Sequence, residues 1–197
     1  MTGIRLSKGN GMRPSTALLM AVALCVPNFA HAEKSEQEQL IERMCREVGC
    51  QKNVHIVLKR KDGPKYDQTF PVFQPTVQSL GIAVFPGQTV NVEADIVDGR
   101  LANLRAVEVV ADPSKTITAS FKQTDSGSMM LHIQSPFEQI LKFDMGIMPL
   151  DKDDLYKTSS CPVMKGATEI WPYPIFQVVL GNGRVIDAAD PAAMVCQ

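Results

Sequence analysis

The chain has 197 residues, of which 45% are hydrophobic and 21% are charged, a composition typical of an ordinary globular protein. That composition excludes a collagen, a low-complexity linker and a disordered acidic chain. All 21 acidic residues lie after residue 32, whereas 17 of the 20 basic residues do, so the chain beyond residue 32 carries a net charge of −4. A mildly acidic chain is not expected to bind nucleic acid or anionic lipid.

Residues 1–32 have the three parts of a secretory signal peptide. Basic residues lie near the start, residues 16–26 are apolar, and Ala30-His31-Ala32 places small residues just before a cleavage site. The apolar run is shorter than the ~20 residues that a membrane-spanning helix needs. The sequence therefore predicts bacterial export to the periplasm or the extracellular medium, cleavage after Ala32, and no integral membrane segment in the mature chain.

The four cysteines that remain after cleavage are Cys45, Cys50, Cys161 and Cys196. An even number of cysteines in an oxidising compartment favours two disulfides. We expect Cys45 to pair with Cys50 around a turn at Gly49, and Cys161 to pair with Cys196. The alternative is a crossed pairing that joins the N-terminal segment to the C-terminal half. The spacings do not match a structural zinc motif.

The first segment of the mature chain, residues 33–50, predicts a short amphipathic helix. Its apolar residues recur at steps of three and four, which is the helical period. Ser35 and Glu38 fit a capping box at the start of this helix. Gly49 fits the left-handed residue that commonly ends one.

After Cys50 the hydrophobic period changes to two, and short extended segments alternate with turn residues to the C-terminus. Asp98-Gly99 is a strong hairpin turn, and a phase change near Asn103 indicates a bulge. Gly181-Asn182-Gly183 predicts the turn of a final hairpin.

These patterns predict three parts: a cleaved signal peptide (1–32), the N-terminal helix (33–50) and a β-domain (51–197). The β-domain is predicted to be all-β, an antiparallel β-sandwich of immunoglobulin-like architecture, because its turns recur at the spacing typical of that class. The cysteine and tryptophan spacing of true immunoglobulin domains is absent, since Trp171 does not lie between suitably spaced cysteines.

Two groups of residues are candidate metal ligands. Asp151, Asp153 and Asp154 could supply oxygen ligands to calcium, although the stretch lacks the glycine and glutamate of an EF-hand loop. Thioethers suit copper(I), and the candidates are Met129, Met130, Met145, Met148 and Met164, together with His132. The alternative for the aspartates is an ordinary solvated loop, and the alternative for the methionines is that they fill the hydrophobic core. The sequence predicts no cofactor.

The mature chain carries no strong catalytic motif: a nucleophile elbow, a P-loop, a dinucleotide fingerprint and a zinc-protease helix are all missing. Its two histidines, His55 and His132, occupy ordinary positions in predicted strands. This favours a protein that is not an enzyme.

The residues from 159 to 174 form the most unusual stretch, with the single tryptophan in Trp171-Pro172-Tyr173-Pro174. Aromatic residues in stiff loops are efficient contacts for a partner, so Trp171 and Tyr173 are the candidate binding residues. The alternative is that Trp171 fills the end of the hydrophobic core.

We therefore expect an exported, non-enzymatic β-sandwich with a protein-binding, ligand-binding or structural role, whose partner is another protein or a component of the cell envelope. The alternatives are a periplasmic protein that handles copper or calcium, and a hydrolase whose site the sequence does not reveal.

Overall fold

The computed structural model describes residues 49–197 and, before them, Gln39, Glu42, Arg43, Cys45 and Arg46. The predicted signal peptide lies outside the described residues, as does most of the predicted helix 33–50. At the end of that segment Gly49 has a φ of 72°, and its amide donates a 2.9 Å hydrogen bond to the carbonyl of Cys45. This is the left-handed glycine predicted there. No helix among the described residues is long and apolar enough to cross a membrane.

The described residues form twelve β-strands, and every pairing between them is antiparallel. The strands are β1 (Gln51–Leu58), β2 (Tyr66–Phe73), β3 (Val77–Gln78), β4 (Gly81–Val84), β5 (Gln88–Val97), β6 (Arg100–Val107), β7 (Thr116–Gln123), β8 (Met129–Gln134), β9 (Ile140–Pro149), β10 (Tyr156–Thr158), β11 (Gly166–Trp171) and β12 (Ile175–Ile186). The prediction of an all-β fold with antiparallel sheets is confirmed.

Ten of these strands belong to one sheet, and β1 and β2 form a second, two-stranded sheet. The order in the large sheet is β10-β9-β12-β6-β5-β7-β8-β11, with β4 also paired to β12 and β3 to β4. Val163, between β10 and β11, bridges to Leu141 of β9, and Gly166, the first residue of β11, pairs with Gln134 of β8. The segment from β10 to β11 therefore links the two ends of the large sheet.

The two-stranded sheet packs against the large sheet through its apolar face. Along β1 the buried residues alternate with exposed ones, and Ile56 and Leu58 are fully buried. Phe73 of β2 packs edge-on against Phe85, with ring centroids 4.5 Å apart, and Phe176 of β12 joins the same aromatic cluster. Burying a large apolar side chain contributes roughly 1.5–3 kcal/mol, so this face holds the small sheet in place.

The β5–β6 hairpin forms as the sequence predicts. Asp98 and Gly99 both have positive φ, 50° and 72°, as a two-residue turn of this kind requires. Asn103 has a φ of 53°, lies where the β5–β6 register shifts, and donates a 2.9 Å side-chain hydrogen bond to Asp95. The predicted bulge is therefore present.

The prediction of a final hairpin at Gly181-Asn182-Gly183 is wrong. The strand β12 continues through these residues, and the register with β9 shifts between Gly181 and Arg184, with Asn182 at a φ of 46°. The strand keeps its direction because β9 pairs with it on both sides of the shift. A Cβ atom at Gly183 would lie 2.4 Å from Leu101, so this glycine allows close packing rather than a turn.

The structure pairs the four described cysteines locally. Cys45 bonds to Cys50 and Cys161 bonds to Cys196, with Cα–Cα distances of 4.7 Å and 4.1 Å. The expected local pairing is confirmed and the crossed alternative is excluded by it.

Candidate functional site: a groove formed by three turns

The two candidate aromatic residues occupy different environments. Trp171, the last residue of β11, is 7% exposed and packs edge-on against Phe121, with ring centroids 6.2 Å apart. Its indole Nε1 donates a 3.2 Å hydrogen bond to the hydroxyl of Thr158. Tyr173, two residues later, is 43% exposed. Trp171 therefore supports the β11–β12 turn from inside, and Tyr173 presents its ring to solvent.

Tyr173 lies in a groove of about 460 Å³ that is formed by three separate turns, and we call it the Tyr173 groove. Its residues are Lys59, Arg60 and Lys61 after β1, Asp125, Ser126 and Gly127 between β7 and β8, and Pro172, Tyr173 and Pro174 between β11 and β12. The structure therefore brings the predicted aromatic segment together with a run of basic residues that the sequence analysis did not select. The sequence contains a signal that could have identified this run, because three consecutive basic residues precede a turn at Asp62-Gly63-Pro64.

The side chain of Gln123 joins two of these turns. Its Oε1 accepts a 2.7 Å hydrogen bond from the amide of Lys59, and its Nε2 donates 2.9 Å hydrogen bonds to the carbonyls of Lys59 and Gly127. The amide group thus binds the main chain of Lys59 as a neighbouring strand would. Gln123 therefore holds the residue after β1 against the β7–β8 turn.

The β7–β8 turn is itself closed by hydrogen bonds. The amide of Thr124 donates to the carbonyl of Ser128 at 2.8 Å, and the amide of Gly127 donates to the carbonyl of Thr124 at 3.0 Å. Gly127 has a φ of 89°, which a residue with a Cβ rarely adopts. A turn closed in this way loses little conformational entropy when a partner binds.

The groove has a surplus of positive charge, with three basic side chains and one acidic side chain, Asp125. Arg60 forms a 3.0 Å ion pair with Asp151, whose side chain is 65% exposed. Ion pairs at the surface contribute little to stability. Lys59 and Lys61 are exposed and available to an anionic group.

The metal candidates are not assembled into a site. No group of three or more His, Cys, Asp or Glu side chains in the described part of the chain is placed to hold a metal ion, so Asp151, Asp153 and Asp154 do not converge. The methionines differ in environment: Met129 and Met145 are buried in the core, whereas Met164 is 56% exposed. These positions fit core filling and scattered surface residues.

Both histidines are hydrogen-bonded to a neighbour on the adjacent strand. The Nε2 of His55 lies 2.8 Å from a carboxylate oxygen of Asp67, and the Nδ1 of His132 lies 3.0 Å from the hydroxyl of Thr168. Hydrogen bonds from His55, and then from Lys65, hold the pKa of Asp67 below its ordinary value. Because His55 and Asp67 are exposed, this pair is a surface contact between β1 and β2.

The chain matches no known protein family, and no curated protein is significantly similar to it. No solved structure is significantly similar either.

Proposed function

We propose that this chain is an exported, non-enzymatic β-sandwich of immunoglobulin-like architecture that binds a protein partner through the Tyr173 groove. The observation that carries the proposal is the convergence of three turns on one exposed tyrosine and three basic residues. Loops held on a rigid scaffold are common binding sites, because the scaffold reduces the entropy that binding would cost.

The residues of the groove favour an acidic segment as the bound part of the partner. Tyr173 lies between Pro172 and Pro174, each of which restricts the backbone, so the main chain that carries its ring is restricted before binding. Tyrosine and arginine are enriched among the residues that dominate binding energy. The surplus of basic side chains would attract carboxylates of the partner and increase the association rate at low salt.

Three observations support the sandwich and export parts of the proposal. The two-stranded sheet lies across the apolar face of the large sheet through Phe73, Phe85 and Phe176, which is an arrangement of two packed layers. Two disulfides suit an oxidising compartment such as the periplasm or the extracellular medium. The basic, apolar and small-residue parts of residues 1–32 supply the export signal.

The binding role is tested with a matched pair of tyrosine variants. Tyr173→Ala and Tyr156→Ala each remove a tyrosine of nearly equal exposure, 43% and 45%, but Tyr156 lies on β10 and outside the groove. In cross-linking of the mature chain within the cell envelope, we expect Tyr173→Ala to lose the partner that the wild type captures and Tyr156→Ala to keep it. A partner captured equally by all three proteins would contradict the proposal.

Charge reversal gives a second readout on the same groove. Lys59→Glu and Lys61→Glu together should weaken the same complex and reduce its dependence on salt, because both lysines line the groove. Lys122→Glu and Lys157→Glu together change the charge equally, at exposed positions on β7 and β10 outside the groove, and are the control. Equal weakening by the control would show that net charge, and not the groove, governs binding.

The export part is tested by the mass of the protein recovered from its host. We expect a chain that begins at Glu33, because cleavage after Ala32 removes the signal. A product in the envelope that still contains residues 1–32 would contradict cleavage.

A further inference from the structure

Residues 187–197, which follow β12, lie over a lysine of β9, and we call this segment the strap. Both neighbours of Lys142 in β9 are buried in the core, so its own side chain points to the opposite face of the sheet. Lys142 is nevertheless only 6% exposed, and its ammonium donates hydrogen bonds to the carbonyls of Ala193 and Val195. The strap therefore covers a lysine that points away from the core.

The strap buries little apolar surface of its own. The side chains of Ala193 and Met194 are half-buried, and the other residues of the strap are exposed. Its first part forms two successive turns, in which the carboxylates of Asp187 and Asp190 each accept a hydrogen bond from the amide two residues later, at 2.8 Å and 2.9 Å. Because burial of apolar surface is the main force that holds segments of a protein together, the strap depends instead on a few specific anchors.

These anchors all lie in the last five residues of the strap. They are the hydrogen bonds from Lys142, the main-chain hydrogen bonds between Ser160 and Gln197, and the Cys161–Cys196 disulfide. Cys196 is exposed and Cys161 is half-buried, so a thiolate in solution has access to the covalent anchor, as thiol–disulfide exchange requires. The remaining anchors are hydrogen bonds, which water can replace.

The surface beneath the strap is held in place by other parts of the fold. The hydroxyl of Ser160 donates a hydrogen bond to the carbonyl of Phe143 in β9, and the amide of Cys161 donates a 2.6 Å hydrogen bond to a carboxylate oxygen of Glu169 in β11. Neither bond involves the strap. When the strap leaves, the ammonium of Lys142 exchanges two carbonyls for water, so no buried charge is left without a partner. The open and closed states are therefore both compatible with the fold.

The covered lysine is the first of three basic residues in a row across the large sheet. Lys142 lies directly opposite Arg184 of β12, which lies directly opposite Arg100 of β6. Residues in such positions have Cβ atoms about 4.5–5.5 Å apart, and like charges there repel each other. Arg184 forms an ion pair with Asp144, and Lys142 is bonded to the carbonyls of the strap, which contains two aspartates and no basic residue. Opening the strap would therefore expose one end of this basic row.

We propose that the strap is a redox-operated cover: a dithiol that reduces the Cys161–Cys196 disulfide releases residues 187–197 and exposes Lys142 at the end of the basic row. In this step the dithiol supplies two electrons and two protons, the bond between the two sulfur atoms breaks to give two thiols, and the dithiol becomes a disulfide. Oxidation of the two thiols by a disulfide of the same class reverses the step and closes the strap. The device uses no residue of the Tyr173 groove.

Hydrogen exchange of two neighbouring amides, measured by NMR on the ¹⁵N-labelled mature chain with and without dithiothreitol, tests the release. The amide of Ser160 donates to Gln197 of the strap, so its exchange should become at least about tenfold faster on reduction. The amide of Val163 donates to Leu141 at 2.7 Å and should be unaffected. Unchanged exchange at Ser160 would show that the disulfide only stabilises the fold, and equal acceleration at Val163 would show general loosening. Either result overturns the proposal.

Two double variants identify the disulfide responsible. Cys45→Ser with Cys50→Ser leaves the Cys161–Cys196 bridge alone, and Ser160 should respond to dithiothreitol as it does in the wild type. Cys161→Ser with Cys196→Ser should show fast exchange at Ser160 without any reductant and no further change when reductant is added. A response that disappears in the first variant, or that persists in the second, would assign the effect to the other bridge and overturn the proposal.

The exposure of Lys142 is measured by acetylation with a limiting amount of an amine-reactive ester, followed by peptide mass spectrometry. Reduction should increase the acetylation of Lys142 by at least about tenfold, because the strap no longer covers its ammonium. Lys122, an exposed residue of β7, should be acetylated equally in both states. Acetylation of Lys142 that does not change on reduction would overturn the proposal.

The part that Lys142 plays in closing the strap is tested with Lys142→Met, which keeps the length of the side chain and removes the donor. This variant should open at about a tenfold lower ratio of reduced to oxidised dithiothreitol than the wild type, because the closed state loses the hydrogen bonds from the ammonium. Lys122→Met is the matched control and should open at the wild-type ratio. The same ratio for all three proteins would overturn this role of Lys142.

Discussion

Ser160 and Gln197 form a reciprocal pair of main-chain hydrogen bonds, with the Ser160 amide 2.8 Å from the Gln197 carbonyl and the Gln197 amide 3.2 Å from the Ser160 carbonyl. The pair lies directly beside the Cys161–Cys196 disulfide. Lys142, a buried residue of β9, donates a 3.2 Å hydrogen bond from its ammonium to the carbonyl of Ala193 and another to the carbonyl of Val195. The C-terminal residues are therefore held to the large sheet by three independent kinds of contact.

The two disulfides should differ in their contribution to stability. Replacing Cys161 and Cys196 together by serine should lower the free energy of unfolding by about 3–4 kcal/mol, because that bridge closes a span of 35 residues in the unfolded chain. Replacing Cys45 and Cys50, five residues apart, should lower it by about 2 kcal/mol. Urea unfolding measures both values. A larger loss from the shorter bridge would contradict this ranking.

Gln123→Ala should destabilise the fold and loosen the Tyr173 groove. The variant loses three hydrogen bonds to main-chain groups of Lys59 and Gly127, and a typical hydrogen bond contributes about 1 kcal/mol, so we expect a loss of about 2–3 kcal/mol. Hydrogen exchange of the Lys59 amide should become faster, since that amide loses its acceptor. Gln134→Ala, an exposed residue of β8, is the matched control. Unchanged exchange at Lys59 would contradict the role assigned to Gln123.

Trp171→Ala should lower the free energy of unfolding by about 3–5 kcal/mol, the cost of removing a buried aromatic side chain. Tyr173→Ala should change it by no more than about 0.5 kcal/mol, because that ring is at the surface. The fluorescence of the single tryptophan should be blue-shifted and shielded from soluble quenchers. An emission typical of water-exposed indole would contradict the core position of Trp171.

Asp144 should contribute to the loss of stability in acid. Hydrogen bonds from Asn182, and then from Arg184, hold its pKa below the ordinary value. Because the folded-state pKa lies below the unfolded value of about 3.9, the ionised carboxylate stabilises the fold above that pH. This contribution is lost as the pH falls through the folded-state pKa. Asp144→Asn should therefore unfold with a weaker dependence on pH below about 5, measured by urea midpoints at low salt.

A companion variant separates the cause of that shift. Asn182→Ala removes the hydrogen bond that lowers the pKa of Asp144 most, so the carboxyl resonance of Asp144 should titrate closer to its ordinary pKa. A titration identical to that of the wild type would show that the hydrogen bond from Asn182 does not lower this pKa.

The sequence was sufficient to predict the backbone conformation wherever residues adjacent in the chain determine it. Asp98 and Gly99 tolerate the positive φ angles of a tight turn, so these two residues were enough to predict the β5–β6 hairpin. The short spacing of Cys45 and Cys50 around Gly49 likewise predicted the local disulfide that forms. The alternation of apolar residues in β1 predicted which of its side chains are buried.

Contacts between residues far apart in the sequence determined the features that the sequence did not predict. Gly181-Asn182-Gly183 satisfies a hairpin turn and a bulge equally well by local sequence, and the pairing of β9 along the whole of β12 selected the bulge. The Tyr173 groove likewise depends on tertiary contacts, among them the hydrogen bonds of Gln123 that hold Lys59 beside a turn from a distant part of the chain. Sequence alone determined the strand-forming segments and the Cys45–Cys50 pair, since these depend on near neighbours. Only the tertiary structure placed basic and aromatic residues in one groove, because packing between the two sheets and cross-strand hydrogen bonds determine which turns meet.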